Sequence, residues 1–213
     1  MEETRTFRSG HQVTRIAEGV DEDGPYLHLR HRLPIPGRQA GPHWHPVLSE
    51  RWTVRSGQLR FRIDGDTVIA HPGDSVSAPA HAVHEFWSEA PDTEIDHEIR
   101  PPLHHWEMFT FWQALDAAGR TTRSGVPRNP LDLALLWQYQ EGYLTGLPVW
   151  LQHNVFGALA ALARRRRGAS GRIGNEVVIP SAQGDTDGEP GRGAIIVAGA
   201  PRGRDAQPGR PRS

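Results

Sequence analysis

The chain has 213 residues, a formal net charge of -1 and no cysteine, which excludes disulfides, thiolate metal sites and cysteine nucleophiles. There is no lysine either, so Schiff-base chemistry and a phosphate-binding P-loop lysine are also excluded. The length suits one domain with appendages, and the near-neutral charge offers no electrostatic basis for binding nucleic acid.

The opening stretch "MEETRTFRSGHQV" is charged and has no apolar leader core, so a cytoplasmic location is expected. From about His11 to Pro102, short β-like runs alternate with Gly, Pro and Asp punctuation. "YLHLRHRL" (Tyr26 to Leu33), "ERWTVRS" (Glu50 to Ser56), "QLRFRID" (Gln58 to Asp64) and "TVIAH" (Thr67 to His71) each fit a strand. "DSVSAP", "HEFWSE" and "TEIDHEIR" continue the series. Phe61 and Ile63 alternate with Arg60 and Arg62, the period-2 pattern of a strand with one wet face. Asp64-Gly65 is a two-residue hairpin signal between two such runs. Closely spaced strands joined by tight turns imply an antiparallel sandwich or barrel.

After Pro101-Pro102 the period changes. "LHHWEMFTFWQALDAAG" puts Trp106, Phe109 and Trp112 near helical spacing and stops at Gly119. "LDLALLWQYQEGYL" and "PVWLQHNVFGALAALARRRR" predict two further helices, the last with Pro148 in its first turn and Arg164 to Arg167 near its C-terminus. Residues 1–102 therefore read as a barrel with an N-terminal arm, 103–167 as a helical extension and 168–213 as a disordered Gly/Pro/Arg-rich tail. The tryptophans of the helices, Trp106, Trp112, Trp137 and Trp150, read as packing residues. The apolar window Leu147 to Ala163 raises the question of a membrane anchor, but Gln152, His153 and Asn154 interrupt it and favour a packed helix.

The chemistry concentrates in "GPHWHPVLSERWTVRSG", Gly41 to Gly57. Residues two apart on a strand share a face, so His43 and His45 present both imidazoles to one side, where Glu50 and His84 can join them. Trp52 and Val54 share the parity of Glu50, and Phe86 shares that of His84; all three are expected to line the interior. His81 is expected as an exposed turn residue, and Arg60 and Arg62 on the outer face. His28, His31, His97, His104 and His105 lie outside this spacing, with His104-His105 expected on the surface.

Gly37, His43-x-His45, Glu50 and Gly57, followed by Pro72-Gly73-Asp74, Pro79 and His84, resemble the two motifs of the cupin superfamily, with Ser88 where an asparagine often closes the second. The resemblance covers roughly His11 to Arg100. It implies an all-β, double-stranded β-helix barrel with a C-terminal helical extension and, by carry-over, a metal held by His43, His45, Glu50 and His84. Three imidazoles and one carboxylate suit Fe, Mn, Ni, Co or Zn as a divalent ion. On an octahedral ion they leave two positions open. The expected function is an oxygenase- or isomerase-type enzyme acting on a small organic molecule. The alternative is a non-catalytic metal-dependent binding or sensor protein. A homodimer, with the segment before Tyr26 as an arm, is implied by the resemblance alone.

Overall fold

The computed structural model describes residues 2–169 and 197–198. Strands β1 (Glu3–Thr6), β2 (Gln12–Asp21), β3 (Gly24–Leu33), β4 (Gly37–Trp44) and β5 (Ser49–Ser56) open the chain. They are followed by β6 (Leu59–Ile63), β7 (Asp66–Ala70), β8 (Ser75–Ala78), β9 (His84–Ser88) and β10 (Thr93–Arg100). Then come α1 (His105–Ala117), α2 (Pro130–Gln140), β11 (Tyr143–Leu144), α3 (Val149–Ala169) and β12 (Val197–Ala198). One sheet has the order β1-β2-β3-β10-β5-β8-β12 and the other β11-β4-β9-β6-β7. Every paired strand is antiparallel, as the fold class requires. The expected disordered tail begins too early, since α3 runs through Gly168 and Ala169; apart from these two residues and β12 it lies outside the described residues.

The alternation read in the sequence decides which side chains meet between the sheets. Trp52, Val54, Val76, Ala78 and Ile95 from the first sheet pack with Leu59, Phe61, Ile63 and Ala70 from the second. Each large apolar side chain removed from water there contributes about 1.5–3 kcal/mol. Arg60 and Arg62 do face outward: Arg60 pairs with Glu89 at 2.6 Å and lies 4.0 Å over the Trp87 ring. At the hairpin between β6 and β7, Asp64 (φ 49) and Gly65 (φ 95) both adopt the left-handed backbone that the Asp-Gly pair favours.

The first sheet is wider than the second, and α1 packs against what remains. Trp106, Met108 and Phe109 join Phe7, Val13, Leu27, Leu29, Leu48 and Ile99 in a second cluster. The segment before Tyr26 pairs within its own chain, β1 on β2 and β2 on β3. Asp116 of α1 clamps the turn that joins β1 and β2, accepting the Arg8 backbone N–H at 2.6 Å, the Arg8 side chain at 3.2 Å and the Thr121 hydroxyl.

The second helix begins where Asn129 accepts the Leu131 N–H and Pro130 takes the first turn. Helix α2 then packs on α3 through Ala134, Leu135, Ala160 and Ala163. Of the tryptophans expected to pack, Trp150 is instead 66% exposed. It lies in the first turn of α3, on the face turned away from α2. No helix among the described residues is long and apolar enough to cross a membrane.

Candidate metal centre

The four residues singled out by spacing come together. One ligand atom from each of His43, His45, Glu50 and His84 lies within 4.8 Å of all the others, and all four residues are buried. Strand pairing brings this about: His43 on β4 and His84 on β9 are directly opposite each other, with ring centroids 4.3 Å apart. His45 follows the end of β4 and Glu50 is the second residue of β5. All four side chains therefore sit at one end of the barrel.

The imidazoles are held in the form a cation needs. Nδ1 of His43 donates to the Gly41 carbonyl at 2.8 Å, and Nδ1 of His84 donates to the Ala82 carbonyl at 2.9 Å. Nδ1 of His45 donates to the Glu141 carbonyl at 3.3 Å. A ring pinned through Nδ1 turns its Nε2 lone pair inward. The Nε2 atoms of His45 and His84 and Oε2 of Glu50 are buried without a hydrogen-bond partner, although His84 Nε2 and Glu50 Oε2 are only 2.6 Å apart. Two polar atoms at that distance attract each other directly, and the same four side chains gather one ligand atom each within 4.8 Å. Buried polar atoms rarely go unsatisfied, and a divalent ion among them would satisfy all three.

Charge acts differently on each member of the cluster. Burial alone would raise the Glu50 carboxyl, but the facing imidazoles of His45, His84 and His97 outweigh it and hold it well below the usual carboxylate range. Burial and the neighbouring rings of His84 and His45 push His43 well below its ordinary value, which favours the neutral, ligating form. For His84, burial is outweighed by the Glu50 carboxylate, and the ring is raised.

Several residues outside the spacing also reach the site. Oε1 of Glu50 accepts from His97 Nε2 at 2.9 Å, so one carboxylate oxygen is anchored and the other faces His45 and His84. Beyond it, His97 Nδ1 lies 3.3 Å from His31 Nε2, and His31 Nδ1 lies 3.2 Å from His11 Nε2. Because Glu50 can only accept, each neutral ring in the row donates inward and accepts from outside. Burial keeps His31 well below its ordinary value and His11 at about 4.

His105, expected on the surface, is 3% exposed. Its Nε2 stands 3.9 Å from Glu50 Oε1, and burial pushes it down to about 3. The cause is tertiary: packing α1 against the first sheet brings its first residue over Glu50. Its neighbour His104 stays half-buried and pairs with Glu141 at 3.0 Å. His81 also differs from expectation. It adopts φ 68, stacks on Trp44 at 5.6 Å and has Nδ1 buried, while its backbone N–H holds the His45 carbonyl at 2.8 Å.

The sequence from residue 33 to residue 94 matches the cupin domain family. The chain carries a cupin domain. Its barrel is similar to three solved structures. The first is KdgF from Halomonas sp., with 20% identity over 46% of this chain and 86% of that one, at a TM-score of 0.41. A Streptomyces PAC13 variant with uridine shows 20% identity over 47% and 75%, at 0.37. An RmlC-like cupin from Shewanella frigidimarina shows 17% identity over 46% and 84%, at 0.39. No curated protein gives a significant match.

Around the cupin domain, the helical extension supports the candidate ligand His45 directly. β11 pairs with β4 at Trp44 and His43, and the preceding turn supplies the Glu141 carbonyl that His45 uses. A Cβ on Gly142 would lie 3.0 Å from His45 Cε1 and 3.1 Å from its Nδ1. Gly142→Ala should therefore tilt the ring and weaken cation affinity about tenfold, the scale of an outer-shell change, with little effect on melting of the metal-free protein. Competition with a chromogenic chelator measures this. An unchanged affinity would remove His45 from the ligand set.

Proposed function

We propose that the chain is a metal-dependent enzyme acting on a small organic molecule by oxygenase- or isomerase-type chemistry. His43, His45, Glu50 and His84 would hold one divalent ion of Fe, Mn, Ni, Co or Zn. The observation that carries this reading is the set of inward-aimed, unsatisfied atoms on His45, Glu50 and His84, with the rings pinned from behind by backbone carbonyls. Such an ion supplies Lewis-acid activation of an oxygen ligand or of dioxygen. The protein's share is to fix the ligand geometry, to orient Glu50 through His97 and to keep water out with a buried shell. His105, held neutral beside Glu50, is the side chain best placed to touch a molecule bound at the ion.

A non-catalytic binding protein is the second reading. It is favoured by the barrel interior, where Trp52, Phe61 and the half-buried Phe86 pack against one another at ring distances of 5.2–5.6 Å and carry no group that could act as acid or base. Elemental analysis of the purified protein, followed by oxygen-uptake and turnover screens against His45→Ala, separates the two. The enzyme reading expects near-stoichiometric metal and turnover that vanishes in the variant. Sub-stoichiometric metal under every loading condition rules it out. Ligand-dependent stabilisation without product supports the second reading.

A further inference from the structure

A concave site lies away from the candidate ligands. A cavity of 540 Å³ opens between the β1–β2 turn, the β3–β4 connection and the loop joining α1 to α2. None of His43, His45, Glu50 and His84 lines it. Its size falls within the range of small-molecule sites. Part of its lining is apolar: Pro34, Pro36, Ile35, which is 60% exposed, and the indole of Trp112. That indole is fixed in place. Its Nε1 donates to the Gly125 carbonyl at 2.7 Å, and Phe7 packs on it edge-on at 4.9 Å.

Another part of the lining is cationic. Arg8, Arg38, Arg123 and Arg128 line the cavity against a single acid, Asp116. Asp116 is taken by Arg8 at 3.2 Å, and Arg38 is taken by Glu85. Arg128 donates to the Thr121 carbonyl at 2.9 Å. Neither Arg128 nor Arg123 has a carboxylate partner among the described residues, so two guanidinium charges are left uncompensated at the opening.

The loop that carries Arg123 is tightly built. Thr121 bridges Pro127, Thr122 N–H donates to the Val126 carbonyl at 2.8 Å, and Gly125 N–H donates to the Thr122 carbonyl at 3.1 Å. The hydroxyls of Thr122 and Ser124 sit beside the arginines, 2.9 Å from each other. Donors fixed before a ligand arrives reduce the ordering cost of binding it, and guanidinium groups favour planar, two-oxygen anions.

We propose that this cavity binds a small organic anion, a carboxylate or phosphate monoester with an apolar body, whose head group lies between Arg123 and Arg128 and whose body lies against Trp112 and Ile35. The site is independent of the metal reading. It meets the candidate metal cluster through His11, which lines the cavity and ends the row of imidazoles leading to Glu50, and through Trp112, whose ring stacks on Phe109.

The test is calorimetric titration of the full chain with benzoate and with phenyl phosphate, at constant ionic strength, using benzyl alcohol as the uncharged comparison. Saturable binding of at least one anion, with no binding of the alcohol, is expected. It should weaken at least about tenfold in R123A and more in R123A/R128A, the scale of a lost charge-assisted contact. R123E, a reversal on an exposed loop, should abolish it while leaving the melting temperature unchanged. Binding should persist in chelator-stripped protein and in His45→Ala. The proposal fails if neither anion binds saturably or if R123E binds as well as the parent. It also fails if binding disappears with the metal, because the anion would then be sitting on the ion. A protein that binds these anions yet holds no metal keeps this site and loses the proposed enzyme.

Discussion

Glu50→Gln is expected to lower divalent-cation affinity by at least about a hundredfold without unfolding the protein. Removing outer-shell partners of metal ligands already costs roughly 10–100-fold, and this change reaches the ligand itself. The direction follows from where each carboxylate oxygen points. Oε1 accepts from His97 at 2.9 Å, so a glutamine would keep its carbonyl oxygen there and preserve that hydrogen bond. Its amide nitrogen then takes the place of Oε2, facing Nε2 of His84 and of His45, now 2.6 Å and 3.4 Å from that oxygen. Two N–H donors replace the anionic oxygen where the cation belongs, and they can satisfy the unpaired histidine nitrogens. The variant should melt close to the parent when both are stripped of metal and gain nothing from added metal. Elemental analysis with thermal melts checks this. Stoichiometric metal in the variant would show that Glu50 is not a ligand.

Much of the barrel was legible because one face of each strand is dry. In β3, Leu27, Leu29 and Leu33 share a parity and are buried; in β10, Thr93, Ile95 and Ile99 do the same. The candidate ligands were legible because they fall at fixed offsets along neighbouring strands. The supporting row was missed, although the same rule holds it: His31 occupies the leucine parity of β3, and His97 the isoleucine parity of β10. A histidine among apolar residues of one parity is placed inside and needs a partner, and for both of them the partners lie on this row.

β1 and β2 escaped reading for the opposite reason. Apart from Val13, β2 is half-buried or exposed, so its alternation carries little apolar signal. His105 left no local trace at all. Its burial depends on α1 packing across the first sheet, a contact between residues far apart in the chain.

The helical extension is tied to the metal cluster by more than one thread. It contributes the Glu141 carbonyl to His45, a strand to the outer edge of β4 and His105 beside Glu50. The ligand geometry read from the cupin motif is therefore completed by residues outside it. This explains why the spacing within the motif singled out the candidate ligands without revealing what orients them.

Trp52→Ala is expected to destabilise the fold by about 3–5 kcal/mol, the usual cost of truncating a fully buried aromatic residue. Trp52 is 1% exposed and stands where the barrel core meets the ligand cluster. Its ring lies 5.2 Å from Phe61 and 5.6 Å from Phe86 on the core side. On the other side it stacks on His97 at 5.2 Å and lies 5.6 Å from His84. The cavity left by alanine would free both histidines to turn, so metal affinity should fall together with stability. Trp52→Phe separates the two contributions of the indole. Nε1 of Trp52 is buried without a partner, and an unsatisfied buried donor already costs about 1–3 kcal/mol. Phenylalanine removes that donor and keeps most of the packing surface, so its net cost should stay below about 2 kcal/mol. Urea unfolding followed by circular dichroism gives both values. Equal losses in the two variants would mean that the indole nitrogen, and not the ring surface, supports the core, which its lack of a hydrogen-bond partner argues against.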